Sequence, residues 1–95
     1  MSAYVVAEVE VFDSEKFEVY RQLVLPTIAA HGGRYLARGG TVQTLEGEWQ
    51  PKRLVIVEFP TAAQAKAWWE SGEYEPVKAL RHASARTRMI VVEGL

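Results

Sequence analysis

The chain has 95 residues, 11 Lys plus Arg against 12 Asp plus Glu, a formal net charge of -1, and 48% hydrophobic residues. That length fits a single domain over residues 1–95, and the even charge balance, with no basic block, excludes a surface that tracks nucleic-acid phosphates. Zero cysteine excludes disulfides, thiolate metal sites and a cysteine nucleophile, and fits a reducing compartment.

Other classes drop out on sequence pattern. The apolar run Tyr4 to Val11 lacks a basic leader and carries Glu8 and Glu10, unlike a signal peptide. No apolar stretch approaches the roughly 18 residues of a membrane helix, so a cytoplasmic protein with no membrane partner is expected. With glycine counted and tyrosine left out, about 51% of the residues are apolar, just above the usual share. Surface scaling leaves a folded monomer of this mass roughly 5,500 Å² accessible, a thin core for so much apolar material.

In chain order, Tyr4 to Val11 alternates as a strand, with Val5, Ala7, Val9 and Val11 on one side and Tyr4, Val6, Glu8 and Glu10 on the other. Asp13 is an N-cap, and Phe17, Tyr20, Val24 and Ile28 recur at helical spacing, so a helix runs to about His31. Pro26 should kink that helix, and Gly32 should close it in the left-handed conformation. Arg34 to Arg38 and Thr41 to Leu45 read as one long strand bent by a bulge at Gly39-Gly40. Arg53 to Phe59 is a strand ended by Pro60, with Val55, Val57 and Phe59 on the helix side and Leu54, Ile56 and Glu58 on the other. Thr61 with Gln64 makes a capping box for a helix carrying Ala62, Ala65, Trp68 and Trp69. Ser71-Gly72 breaks it, Glu73 to His82 forms a short helix, and Arg86 to Glu93 is the last strand.

The order β-α-β-β-α-(α)-β defines an α+β, ferredoxin-like βαββαβ fold, one antiparallel sheet with its helices on one face. The last strand can turn either Arg86, Arg88, Ile90 and Val92 or Thr87, Met89, Val91 and Glu93 to the open face, since a slip of one residue exchanges the sets. Tyr4, Val6, Leu54 and Ile56 would form an apolar patch there that monomers rarely expose. A second copy across a two-fold axis is the simplest cover, giving a homodimer whose facing sheets enclose a cleft.

Residues that carry chemistry are few. Glu8, Glu10 and Glu58 on a half-buried face would have raised pKa values and act as acid and base, or else pair with Arg38, Arg86 or Arg88. His31 ends the first helix as a candidate base, or serves as a capping residue, and His82 reads as a surface residue. Arg34 and Arg38, four apart in a strand, should share one face, with Arg38 placed to bind an anion beside Gly39-Gly40 or to pair with Glu58 or Glu10. Trp68, Trp69, Tyr74 and Tyr20 can wall a pocket, one tryptophan being core and the other near the surface. Arg81, seven residues after Tyr74, falls on the same side. The spacing of His31 and His82 offers no metal motif, and no nucleotide or phosphate loop is present, so neither metal nor cofactor is expected.

The stretches His31-Gly32-Gly33-Arg34-Tyr35-Leu36-Ala37-Arg38-Gly39-Gly40, Arg53 to Pro60, Trp68-Trp69-Glu70-Ser71-Gly72-Glu73-Tyr74 and Val92-Glu93-Gly94 resemble the uncharacterised "domain of unknown function 1330" family. The resemblance implies a dimeric α+β barrel, the superfamily of small cofactor-free monooxygenases, lactone isomerases and haem-degrading oxygenases. Within its pattern His31, Arg38, Glu58, Trp69, Tyr74 and Arg81 match. The position of the haem-ligand histidine, counted from Trp69, falls near Ala79 with His82 out of phase, which speaks against haem. Ser71-Gly72 replaces the usual Ser-Pro. The leading expectation is a cofactor-independent oxygenase or isomerase acting on a small anionic or partly apolar molecule, Arg38 holding the anion and His31 or Glu58 moving a proton. The alternative is a non-enzymatic ligand-binding or assembly module whose charges only register the dimer.

Overall fold

The alternating valines of the first strand go where their pattern sends them. In the computed structural model, which describes all 95 residues, β1 (Ala3–Val11) buries Ala3, Val5, Ala7 and Val9 beneath helices and leaves Tyr4, Val6 and Glu8 half-buried opposite. The remaining elements are α1 (Ser14–Ala29), β2 (Arg34–Arg38), β3 (Leu54–Phe59), α2 (Ala62–Glu70), α3 (Glu75–His82) and β4 (Ala85–Glu93). The sheet order is β2-β3-β1-β4 and every neighbouring pair is antiparallel. The molecule is a slab of 37 × 35 × 16 Å, thin enough for one sheet and one layer of helices.

Local chemistry sets the helix ends. The Asp13 side chain accepts from Lys16 N and the Thr61 hydroxyl from Gln64 N, each satisfying a donor in the first turn. Helix α1 contains Pro26 and stops at Ala29, two residues short of His31. Gly33 N donates to Ile28 O while Gly32, at φ 79°, reverses the chain. Helix α3 starts at Glu75, two residues later than expected, with Tyr74 as its cap.

The β1–β4 register settles the orientation of the last strand. Tyr4 faces Val92, Val6 faces Ile90 and Glu8 faces Arg88. Arg86, Arg88, Ile90 and Val92 therefore occupy the open face, while Thr87, Met89 and Val91 lie under the helices.

One predicted strand does not form. Residues 41–45 lie in the long connection between β2 and β3, and the bulge falls within β2: Tyr35 pairs with Val57 and Ala37 with Ile56, leaving Leu36 as the extra residue. The consequence is a change of face. Arg34, opposite Glu58, is on the open side, but Arg38, opposite Val55, is on the helix side. A regular strand would have kept both arginines on one face; the extra residue sends Arg38 into the space beneath α1.

Candidate functional site

Between the helix layer and the sheet the core has a gap. Trp68 and Tyr74 are fully buried, their ring centroids 4.2 Å apart, and Phe59 packs on Trp68 at 5.6 Å. Beside this aromatic cluster lies a narrow inner chamber of about 40 Å³ walled by Val5, Ala7, Val9, Val55 and Val57 from the sheet and Phe17 and Tyr20 from α1. A larger cleft of about 360 Å³ opens under α2, α3 and β4, lined by Ala65, Trp69, His82, Thr87 and Val91. Val5, Trp68, Arg81 and Met89 border both spaces, so the cleft and chamber meet at Arg81.

The charged groups on the chamber wall are all cationic, whereas the cleft is lined by Lys66 and Glu70 as well as Arg81 and His82. Arg81 is 4% exposed; its Nε donates to the Tyr74 hydroxyl at 3.2 Å, and that hydroxyl lies 2.9 Å from the hydroxyl of Tyr20. Burial, reinforced by neighbouring Tyr74, raises the Tyr20 pKa, so its phenol stays protonated. Trp68 Nε1 donates to Thr27 Oγ1 at 3.1 Å, which fixes the indole against α1. Arg21, Arg38 and Arg53 join Arg81 around the inner chamber, and no carboxylate lines it. Arg21 is neutralised by Glu18 at 3.2 Å; none of the ion pairs in the molecule involves Arg38, Arg53 or Arg81. The hydroxyl of Thr87, facing the cleft, is buried and without a partner.

Of the residues singled out in the sequence, Tyr20, Arg81 and Arg38 line the chamber, Tyr74 stands behind them and bonds to Tyr20 and Arg81, and Trp69 stands on the wall of the cleft. Trp69 is 42% exposed and carries the ammonium of Lys78 3.7 Å from its ring centroid, while Trp68 takes the core position. Arg38 makes neither of the expected ion pairs. Its Nη2 donates to the Arg21 carbonyl at 2.8 Å, and its guanidinium stacks 4.5 Å from the Tyr35 ring centroid.

His31, Glu8 and Glu58 lie elsewhere. His31 sits past the end of α1 with its Nδ1 3.0 Å from the Thr27 carbonyl. Glu8 and Glu58 are on the open face, and their pKa values are lowered rather than raised. Arg88 donates twice to Glu8, at 2.7 and 3.1 Å, and Trp49 once at 3.0 Å; Arg34 donates to Glu58 at 2.8 Å. These bonds outweigh desolvation, because both carboxylates keep contact with water. Glu10, opposite Arg86, is exposed at the end of the same face. The open face, expected to close on a second copy, carries its own concavity of about 370 Å³ lined by Val6, Glu8, Trp49, Leu54, Arg88 and Ile90, while the cleft and chamber at Arg81 lie on the helix side.

Arg53, Tyr35 and Thr87 contribute to the site without having stood out. Arg53 is the last residue of a long connection, just before β3, where an arginine ordinarily reads as solvated; its one signal is that the following positions alternate so cleanly that its side must be inward. His82 is exposed and also borders the cleft. Desolvation first, then the charges of Arg81 and Lys78, lower its pKa and favour neutral imidazole. No group of three or more His, Asp or Glu is arranged to hold a metal ion, and no helix is long and apolar enough to cross a membrane.

A four-stranded antiparallel sheet backed by helices on one side, with the cavity between the layers, defines a ferredoxin-like α+β protein. The chain belongs to the family known as Domain of unknown function (DUF1330), whose model matches residues 2–95. Among proteins of curated function, none matches. Solved structures match in fold. RPA0582 of Rhodopseudomonas palustris, a protein of unknown function, is 18% identical with TM-score 0.80, over 99% of this chain and 82% of that one. SnoaB of Streptomyces nogalater, a cofactor-independent oxygenase, is 11% identical with TM-score 0.68, over 99% and 93%. A dimeric ferredoxin-like protein of unknown function from Jannaschia sp. is 11% identical with TM-score 0.67, over 99% and 100%.

Proposed function

We propose that the cavity binds a small, partly apolar organic anion and that the protein acts on it as a cofactor-independent oxygenase or isomerase. The observation that carries this reading is Arg81, 4% exposed and without a carboxylate partner. A buried charge is costly unless compensated, and its only recorded side-chain partner is a neutral phenol. A bound anion supplies the missing charge, and the apolar walls formed by Trp68, Met89 and Val91 take the rest of the molecule.

Donors fixed in place before a ligand arrives favour the ionised form of a bound enol or phenol. Deprotonation of a carbon beside a carbonyl would pass its proton to neutral His82 at the mouth of the cleft and leave an enolate held by Arg81. Return of the proton at another carbon completes an isomerisation. Alternatively dioxygen is the oxidant, a methylene becoming a carbonyl with one oxygen atom while the other leaves as water. The resemblance in fold to SnoaB, a cofactor-independent oxygenase, supports this class of chemistry.

A binding module without chemistry is the second reading, favoured by the lack of any carboxylate base around the inner chamber. Phenylpyruvate, an aromatic keto acid with an exchangeable methylene, separates the two. In D₂O the protein is expected to speed loss of the methylene proton signal at least tenfold over buffer, and Arg81→Met to remove the effect. Binding with no acceleration would favour the module; no binding would reject both.

The same reading includes a homodimer formed through the open face. Val6, Ile56 and Ile90 lie side by side there across three strands, with Tyr4, Leu54 and Val92 around them. The accessible surface is 6247 Å², against the roughly 5,500 Å² usual for a monomer of this mass. The neighbour from Jannaschia sp. is a dimeric protein of the same fold, which supports a homodimer.

A further inference from the structure

The two spaces that meet at Arg81 differ greatly in size, about 360 Å³ for the cleft and about 40 Å³ for the chamber. A water molecule's share of liquid volume is about 30 Å³, so the chamber has room for little more than one oxygen atom. Resting on the anion-binding reading above, we infer that the ligand enters head first, with one oxygen of a flat carboxylate in the chamber, the other at Arg81, and the apolar body in the cleft. The chamber thereby selects slim, planar anionic heads over tetrahedral ones.

The chamber traces to one small residue. Along β1 the inward positions Val5, Ala7 and Val9 all line it. Ala7 faces Val55 in the β1–β3 register, and Val55 faces Arg38 in the β2–β3 register, so the floor at this point is Ala7 and Val55. The two methyl groups that Ala7 lacks beside its valine neighbours leave a gap that a close-packed layer would otherwise fill.

The hydrogen bonds supply this space with a donor. Arg81 Nε can only donate, so the Tyr74 hydroxyl accepts from it, and that hydroxyl shares a second bond with the hydroxyl of Tyr20. Two phenolic protons and one bond between the two oxygens leave one proton without an acceptor, whichever phenol donates. Tyr20 lines the chamber and Tyr74 does not. With Tyr74 donating to Tyr20, the free proton is that of Tyr20, and a ligand oxygen in the chamber accepts it. The Nη groups of Arg81 make no hydrogen bond within the protein and remain for the second oxygen of the head. Because Arg81 and Tyr20 both bond the same Tyr74 oxygen, one carboxylate can meet both. Glu18 pairs with Arg21 and also acts on Arg53, whereas Arg38 and Arg81 have no carboxylate partner, so the chamber keeps a positive field that favours an ionised head.

The test compares benzoate with benzenesulfonate, two monoanions on the same ring with planar and tetrahedral heads, by calorimetric titration of the full chain at pH 7. Benzoate is expected to bind at least tenfold more tightly. Ala7→Val supplies the missing methyl groups; it is expected to fold as stably as the parent and to weaken benzoate at least tenfold. Val55→Ala widens the chamber and is expected to tighten benzenesulfonate, reducing the preference to threefold or less. Equal affinity for the two probes in the parent, or benzoate affinity unchanged in Ala7→Val, would overturn the head-first placement while leaving an anion at Arg81. A preference that survives Val55→Ala undiminished would also overturn it, since the greater basicity of a carboxylate would then account for the difference. Failure of benzoate itself to bind would overturn the underlying reading and this one with it. Circular dichroism of each variant establishes that it is folded, and should Ala7→Val fail to fold, the result with Val55→Ala decides.

Discussion

Arg81 Nε donates to the hydroxyl of Tyr74 at 3.2 Å, and both side chains are almost completely removed from water. A charged residue in such a place is rarely there for stability, since replacing buried ions by apolar groups of similar volume is often neutral or stabilising. Arg81→Met is therefore expected to unfold in urea with a stability within about 1 kcal/mol of the parent, or higher, while losing ligand binding. A loss of about 3 kcal/mol or more would assign Arg81 to the architecture instead.

The phenol pair is the structural half of the same network. Tyr20→Phe removes the 2.9 Å bond to Tyr74 and leaves the Tyr74 hydroxyl still accepting from Arg81. A destabilisation of about 1 kcal/mol is expected, equivalent to a fall in Tm of roughly 4–8 °C for a domain of this size. Thermal melting followed by circular dichroism measures it; an unchanged Tm would mean that the two hydroxyls do not bond in solution.

Much of this arrangement was legible in the residues. Val5, Ala7 and Val9 went to the core and Tyr4, Val6, Leu54 and Ile56 to the open face because a period of two admits only that division once the helices take one side. Tyr74 and Arg81 were legible as neighbours because seven residues is close to two helical turns. The stretch Thr41 to Leu45 misled: its residues favour a strand, but the left-handed Gly39 turns the chain off the sheet and no partner strand awaits it. The inward turn of Arg38 depends on which residue of β2 is the extra one, and that is decided by the pairing with β3, not by β2 alone. For Glu8 and Glu58, alternation gave the face correctly, but not that Arg88 and Arg34 lie directly opposite; the register sets the sign of the pKa shift.

That sign has a consequence for acid stability. Arg88 and then Trp49 hold the Glu8 pKa below 4.5, and Arg34 does the same for Glu58. The folded state thus binds fewer protons than the unfolded chain in this range. Their contribution is complete above the unfolded value and is lost as pH falls through the folded value. The double variant Glu8→Gln with Glu58→Gln is expected to show a shallower fall in stability between pH 6 and pH 3 than the parent. Urea unfolding across that range provides the comparison, and parallel curves would show that these ion pairs do not persist in solution.

Ile90 is 63% exposed between Val6 and the edge of the sheet. Ile90→Glu places a charge beside Val6 in the proposed dimer face. Light scattering should give twice the 10.7 kDa chain mass for the parent and the single-chain mass for the variant. A parent that is already monomeric at micromolar concentration would contradict the dimer.

The central claim, an organic anion held at Arg81, is tested most directly by nitrogen-15 NMR of side-chain resonances during titration with benzoate and with its neutral counterpart benzamide. Benzoate should shift the Arg81 Nε–H and the Trp68 Nε1–H, saturably and with one affinity, and benzamide should shift neither. Equal responses to both probes, or benzoate shifts confined to the exposed Arg34 and Arg88, would contradict it.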